Sequence, residues 1–84
     1  MRVRWGKSTR WSSDVAGLLD WHVDGDALHV MLLWSAVRAA RKDVSIGTAT
    51  WTLNGAQYQT SMVSVLPGEG LMRVSARETE RCAE

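Results

Sequence analysis

Apolar and polar residues alternate at both ends of the chain and lose that alternation in the middle. At the start, MRVRW sets Met1, Val3 and Trp5 on one side and Arg2 and Arg4 on the other, the pattern of a half-buried strand. A polar connection, GKSTRWSSD, follows, in which Ser12, Ser13 or Asp14 can cap a helix. Val15, Leu18, Leu19 and His22 then fall at helical spacing, with Gly17 inside the run costing about 1 kcal/mol against alanine. After DGD at 24–26 comes ALHVMLLWSAVRAARKD, rich in the helix formers Ala, Leu, Met and Arg. Asp24 or Asp26 at its start and Arg38, Arg41 and Lys42 at its end suit a helix dipole.

A second reading fits the same residues. LLDWHV and ALHVMLLW also read as two strands around a tight DGD turn, with Trp21 and Val23 facing Leu28 and Val30; periodicity does not separate such short apolar runs. The Ala/Arg-rich continuation AVRAARK is a poor strand and favours the helix.

The second half alternates again. Ala49, Trp51 and Leu53 interleave with Thr48, Thr50 and Thr52, and Asn54-Gly55 is a strong signal for a two-residue hairpin turn. AQYQTSMVSVL returns as its partner, and residues 67–70, PGEG, make another turn. In LMRVSARE, Met72, Val74 and Ala76 point one way and Leu71, Arg73, Ser75 and Arg77 the other; ETERCAE then reads as a fraying polar end. The expected fold is α+β, in the order β-α-α-β-β-β. A three-strand meander over 44–77 and the N-terminal strand form an antiparallel sheet packed on two helices. The alternative is a small all-β sandwich with a connection at 36–43.

Composition narrows the function classes. The 84 residues make one domain, 1–84, with a single core that buries about 60% of the unfolded surface. Ten basic against nine acidic residues leave a net charge of +1, which argues against non-specific nucleic-acid binding through many phosphate contacts. One cysteine, Cys82, cannot form an internal disulfide, so a reducing compartment is expected. The chain opens without a charged-then-apolar leader, and its most apolar run, 27–34, is far shorter than the ~20 residues of a membrane span. A soluble, cytoplasmic protein with no membrane partner is the expectation. His22, His29 and Cys82 lack metal-ligand spacing, so no metal and no cofactor are expected. GKST at 6–9 lacks the upstream glycine of a phosphate loop.

One constellation is left. Arg2 and Arg4 share a side of the first strand, and Arg73 and Arg77 share a side of the last. On one sheet they form a basic face over Thr48, Thr50 and Thr52, suited to phosphate oxygens because guanidinium is a planar bidentate fork. The acids Asp14, Asp20, Asp24 and Asp26 belong to the other half. Five Trp and no Phe also stand out, since Trp and Arg dominate interface hot spots. Trp5 and Trp11, with Arg2, Arg4, Arg73 and Arg77, are therefore candidate binding residues.

A first strand MRVRW, two helices and a meander in this length resemble the layout of the RelE/ParE toxin superfamily. LMRVSARETER is similar to the last strand of BrnT-type members, VSIG at 44–47 to their second strand, and HVDGDALHV to their histidine-containing turn. The resemblance implies a ribonuclease neutralised by an antitoxin, in which Arg73 and Arg77 hold phosphate and Glu78 or His22 is the base. The near-zero net charge and the Trp-rich apolar half point instead to a protein–protein interaction module. That reading is a phage- or mobile-element-encoded inhibitor or assembly factor with a protein partner, able to form homo-oligomers. RNA bound through the local basic face is the alternative.

Overall fold

In the computed structural model, which describes residues 1–81, the chain forms six strands and one short helix. The strands are β1 (Arg2–Arg4), β2 (Leu18–Asp24), β3 (Ala27–Leu33), β4 (Thr50–Leu53), β5 (Ala56–Leu66) and β6 (Leu71–Arg81); α1 is Trp34–Ala39. Short 3-10 turns at Ile46–Thr48 and Pro67–Glu69 complete the elements. All six strands join one antiparallel, curled sheet in the order β1-β4-β5-β6-β3-β2. The fold is thus mostly β, which corrects the expected β-α-α-β-β-β arrangement; it is also one sheet rather than a two-sheet sandwich.

The correction lies in the chain's middle. Residues 18–33, for which two helices were favoured, form instead the hairpin of the second reading, β2–β3, closed at Asp24↔Ala27 with Gly25 at φ 62°. Trp21 lies opposite Val30 and Val23 opposite Leu28. Helix propensity loses here to tertiary pairing: β3 docks on β6 along its full length, from Ala27↔Arg77 to Leu33↔Leu71. Period-two burial follows, with Leu28, Val30 and Leu32 inside and His29 and Met31 half-exposed. Only the start of the Ala/Arg stretch stays helical, as α1, and it buries Val37.

Gly17 reaches a positive φ of 70°, and a Cβ there would lie 2.8 Å from the Leu33 carbonyl oxygen. Its own carbonyl accepts from the Leu33 amide at 2.7 Å. The glycine therefore clamps the start of β2 onto the β3–α1 junction, where a helix had been expected to pass.

The second half runs closer to its pattern. Asn54 and Gly55, at φ 50° and 80°, make the two-residue turn between β4 and β5. The meander begins at Thr50, not at residue 44: Val44 is 85% exposed, and Ile46 is buried from a 3-10 turn. The charged stretch Glu78–Arg81, expected to fray, continues β6 alongside β5. Cys82 and the rest of the tail lie outside the described residues.

One sheet face holds the core. Val3, Trp51, Tyr58, Val74, Met72, Leu28, Val30 and Leu32 line it, and Val15, Val37 and Ile46 close it from the connections. Leu19 in β2, Ser61 in β5 and Thr79 in β6 are extra residues where the ladder register shifts. Such bulges add local twist, and they lie on the strands that must curl around this core. No helix of the described residues is long and apolar enough to cross a membrane.

Candidate functional site: the outer sheet face and its open edge

Residues directly opposite one another in a ladder share a face, so the register assigns every strand side chain to the core or to the outer face. One outer row crosses all six strands: Arg4, Thr50, Gln59, Arg77, Ala27 and Asp24. Neighbouring rows add Arg2↔Thr52↔Gln57, His22↔His29↔Ser75↔Met62 and Asp20↔Met31↔Arg73↔Ser64. Arg2, Arg4, Arg73 and Arg77 therefore share the outer face.

They do not form one cluster. Arg4 and Arg77 are three strand spacings apart, about 14 Å at the usual inter-strand distance. The Arg4 guanidinium stands 4.9 Å from the Trp11 ring and that of Arg2 5.8 Å from it, so Trp11 joins these two in a cation–π group beside β1. Trp11 is held there because Ser12 exchanges backbone hydrogen bonds with Val3 on the free side of β1. The threonine floor is partly engaged: Thr50 is buried and its hydroxyl donates to Gln59 Oε1 at 2.9 Å.

Around Arg73 the face is hollow. A depression of about 510 Å³ is lined by Asp20, His22, His29, Met62, Arg73 and Ser75, among others. The His22 and His29 rings stack at 4.9 Å, and His29 Nδ1 lies 3.2 Å from Ser75 Oγ. Strand alternation makes this possible, because the turn through Gly25 sets His22 directly opposite His29. Imidazoles, a hydroxyl and a guanidinium at this spacing can bind an oxyanion or pass a proton to one.

Two of the sequence candidates fall elsewhere. Glu78 lies opposite Tyr58, on the core side of the sheet, and its Oε1 accepts from Arg81 Nε at 2.6 Å. That contact raises the Arg81 guanidinium further above its ordinary value, first through the hydrogen bond and then through charge attraction. Glu78 and the arginines at 73 and 77 thus face opposite ways. Trp5 is buried, edge-on to Trp51 with ring centroids 5.9 Å apart, and serves the core. Among the described residues no group of three or more His, Cys, Asp or Glu converges as a metal site would.

The sequence reading missed the edge. β2 ends the sheet, and all seven of its residues are exposed. Leu18, Leu19, Trp21 and Val23 are 36%, 53%, 41% and 41% exposed. The opposite edge strand, β1, is three residues long and paired with Ser12. No family model matches the chain, and no curated protein or solved structure is significantly similar to it.

Proposed function

We propose that the protein is a small binding module whose partner is a further polypeptide chain, docked along β2. The observation that carries this reading is a seven-residue edge strand with no strand on its outer side and four large apolar side chains exposed; along it the Trp21 amide donates to Asp20 Oδ1 at 2.8 Å, a contact an added strand would replace. A bare edge of this kind is a template for an added strand: its backbone groups supply affinity and its alternate side chains specificity. Trp21 takes the anchoring role expected of Trp5, and Asp20 and Asp24 give the edge a polar rim. The module acts by occupancy, as an inhibitor or assembly factor does, and its lone cysteine suits a reducing, cytoplasmic setting.

Affinity capture from a cell extract tests the reading. Trp21→Ser and Val23→Pro are expected to lose the captured protein, whereas Trp11→Ser, at the far side of the sheet, keeps it. Equal capture by all three variants, each folded by circular dichroism, overturns the reading.

A second reading rests on the stacked His22 and His29 beside Ser75 and Arg73. RNA cleavage by the 2′-hydroxyl needs a base, an acid and a cation at the phosphate. These groups on one face supply all three types, with His29 in place of Glu78. A labelled single-stranded RNA incubated with the pure protein is then cut, and His29→Ala and Arg73→Ala stop it. Intact RNA removes this reading and leaves the first untouched.

A further inference from the structure

We infer that the strand added to β2 is β2 of a second copy of this chain, paired antiparallel about Trp21. The inference rests on the reading of β2 as a docking edge and names its occupant. The argument is one of register. Antiparallel partners set same-face residues opposite one another, so a two-fold pair that keeps both faces continuous must be centred on a residue rather than between two. Outer-face positions on β2 are Asp20, His22 and Asp24; Trp21 and Val23 share the core face with Val30 and Leu28.

The possible centres differ in the pairs they set opposite one another. Centred on His22, the pair sets Asp20 against Asp24 of the partner subunit twice over, and like charges directly opposite repel. Centred on Asp20, two carboxylates meet on the axis. Centred on Val23, His22 meets Asp24 of the partner subunit, but Asp20 faces the partner's Asp26, a like-charge pair, and Trp21 faces the partner's Gly25, which has no side chain to cover it. Centred on Trp21, His22 meets Asp20 of the partner subunit twice, Trp21 stacks on the partner's Trp21, and Val23 reaches the partner's Leu19, the bulged residue where regular pairing ends. Only this register sets His22 against a carboxylate without also opposing two carboxylates, and only it stacks the two tryptophans on the other face. It covers the exposed surface of Leu19, Trp21 and Val23 together, and it extends one six-stranded sheet into a continuous twelve-stranded one. Such an isologous, closed contact leaves only the short β1 edges, already bridged by Ser12. The partner's Asp20 also arrives beside His22 at the rim of the hollow, so each hollow gains a carboxylate from the other subunit.

Sedimentation velocity over a concentration series, combined with cysteine placement, tests this. The wild-type protein is expected to reach twice its 9.3 kDa chain mass as concentration rises. Asp20→Arg shifts it toward monomer, and Asp20→Arg with His22→Asp restores the dimer by exchanging the charges. In a Cys82→Ser background, Trp21→Cys cross-links to its symmetry mate under mild oxidation more readily than His22→Cys or Val23→Cys, because directly opposite Cβ atoms come within disulfide reach. A chain monomeric at every concentration, or one that cross-links best at 22 or 23, overturns the inference. A monomer that still loses a captured protein on Trp21→Ser retains the binding module and excludes the second copy; a monomer that captures nothing overturns both.

Discussion

The five tryptophans do different work, and their neighbours decide which. Trp5 and Trp51 meet edge to face inside the core, Trp11 lies under two arginines, Trp34 packs half-buried against the core beside Arg38, and Trp21 stands exposed on the edge strand. Burial predicts unequal costs. Trp5→Ala should destabilise the fold by about 3–5 kcal/mol, the range for a large aromatic removed from a core. Trp21→Ala should cost the isolated chain under about 0.5 kcal/mol, as for other surface substitutions. Urea titration followed by circular dichroism compares the two; equal losses would show that Trp21 is structural. Gly17 gives a second residue-scale prediction. Its positive φ and the 2.8 Å approach to the Leu33 carbonyl leave no room for a methyl group. Gly17→Ala is expected to cost over about 1 kcal/mol, lowering the melting temperature by at least roughly 4 °C in a domain this size. Gly55→Ala, with positive φ but open space around it, should cost less.

Among the elements, what was legible depended on whether the deciding contact was local. The Asn54-Gly55 turn reads correctly because two positive φ values close the hairpin without help from elsewhere. The common face of Arg73, Ser75 and Arg77 follows from alternation alone. Over residues 18–33 the favoured helix is wrong and the alternative hairpin right, because β3 is fixed by β6, about forty to fifty residues away, and no local propensity records that pairing. The resemblance to the toxin superfamily grouped Glu78 with the arginines, but Arg77 and Glu78 are neighbours on a strand and so face apart. The His22–His29 stack depends on the register of that hairpin, which the favoured helix passed over. This contrast yields an element-scale prediction. β2 pairs on one side only, whereas β3 and β6 pair on both, so β2 amides should exchange with solvent first. Hydrogen exchange by NMR in dilute solution should find low protection over 18–24 and high protection over 27–33 and 71–77. Protection of β2 that appears only on concentration is the signature of an added strand.

For the whole molecule, the strand order controls how the parts come together. β4, β5 and β6 are joined by short turns and can pair early, but β3 must find β6 across the intervening α1 and meander. The cost of closing that loop comes before the contacts that repay it, as in other all-β topologies. Refolding is therefore expected on the millisecond-to-second scale typical of such sheets, not in microseconds. β6 is central to the outcome: Val74 lies between Val30 of β3 and Val63 of β5, where the local hairpins meet the long-range pair. Val3, on the short β1 edge strand, docks on an assembly that already has its core. Val74→Ala should accordingly lower the folding rate, and Val3→Ala should chiefly raise the unfolding rate, even where both lose similar stability. Stopped-flow chevrons on the two variants separate these effects. A Val74→Ala change confined to the unfolding limb would mean that β3 joins β6 only after the transition state, with the β4–β6 meander folding as an independent unit.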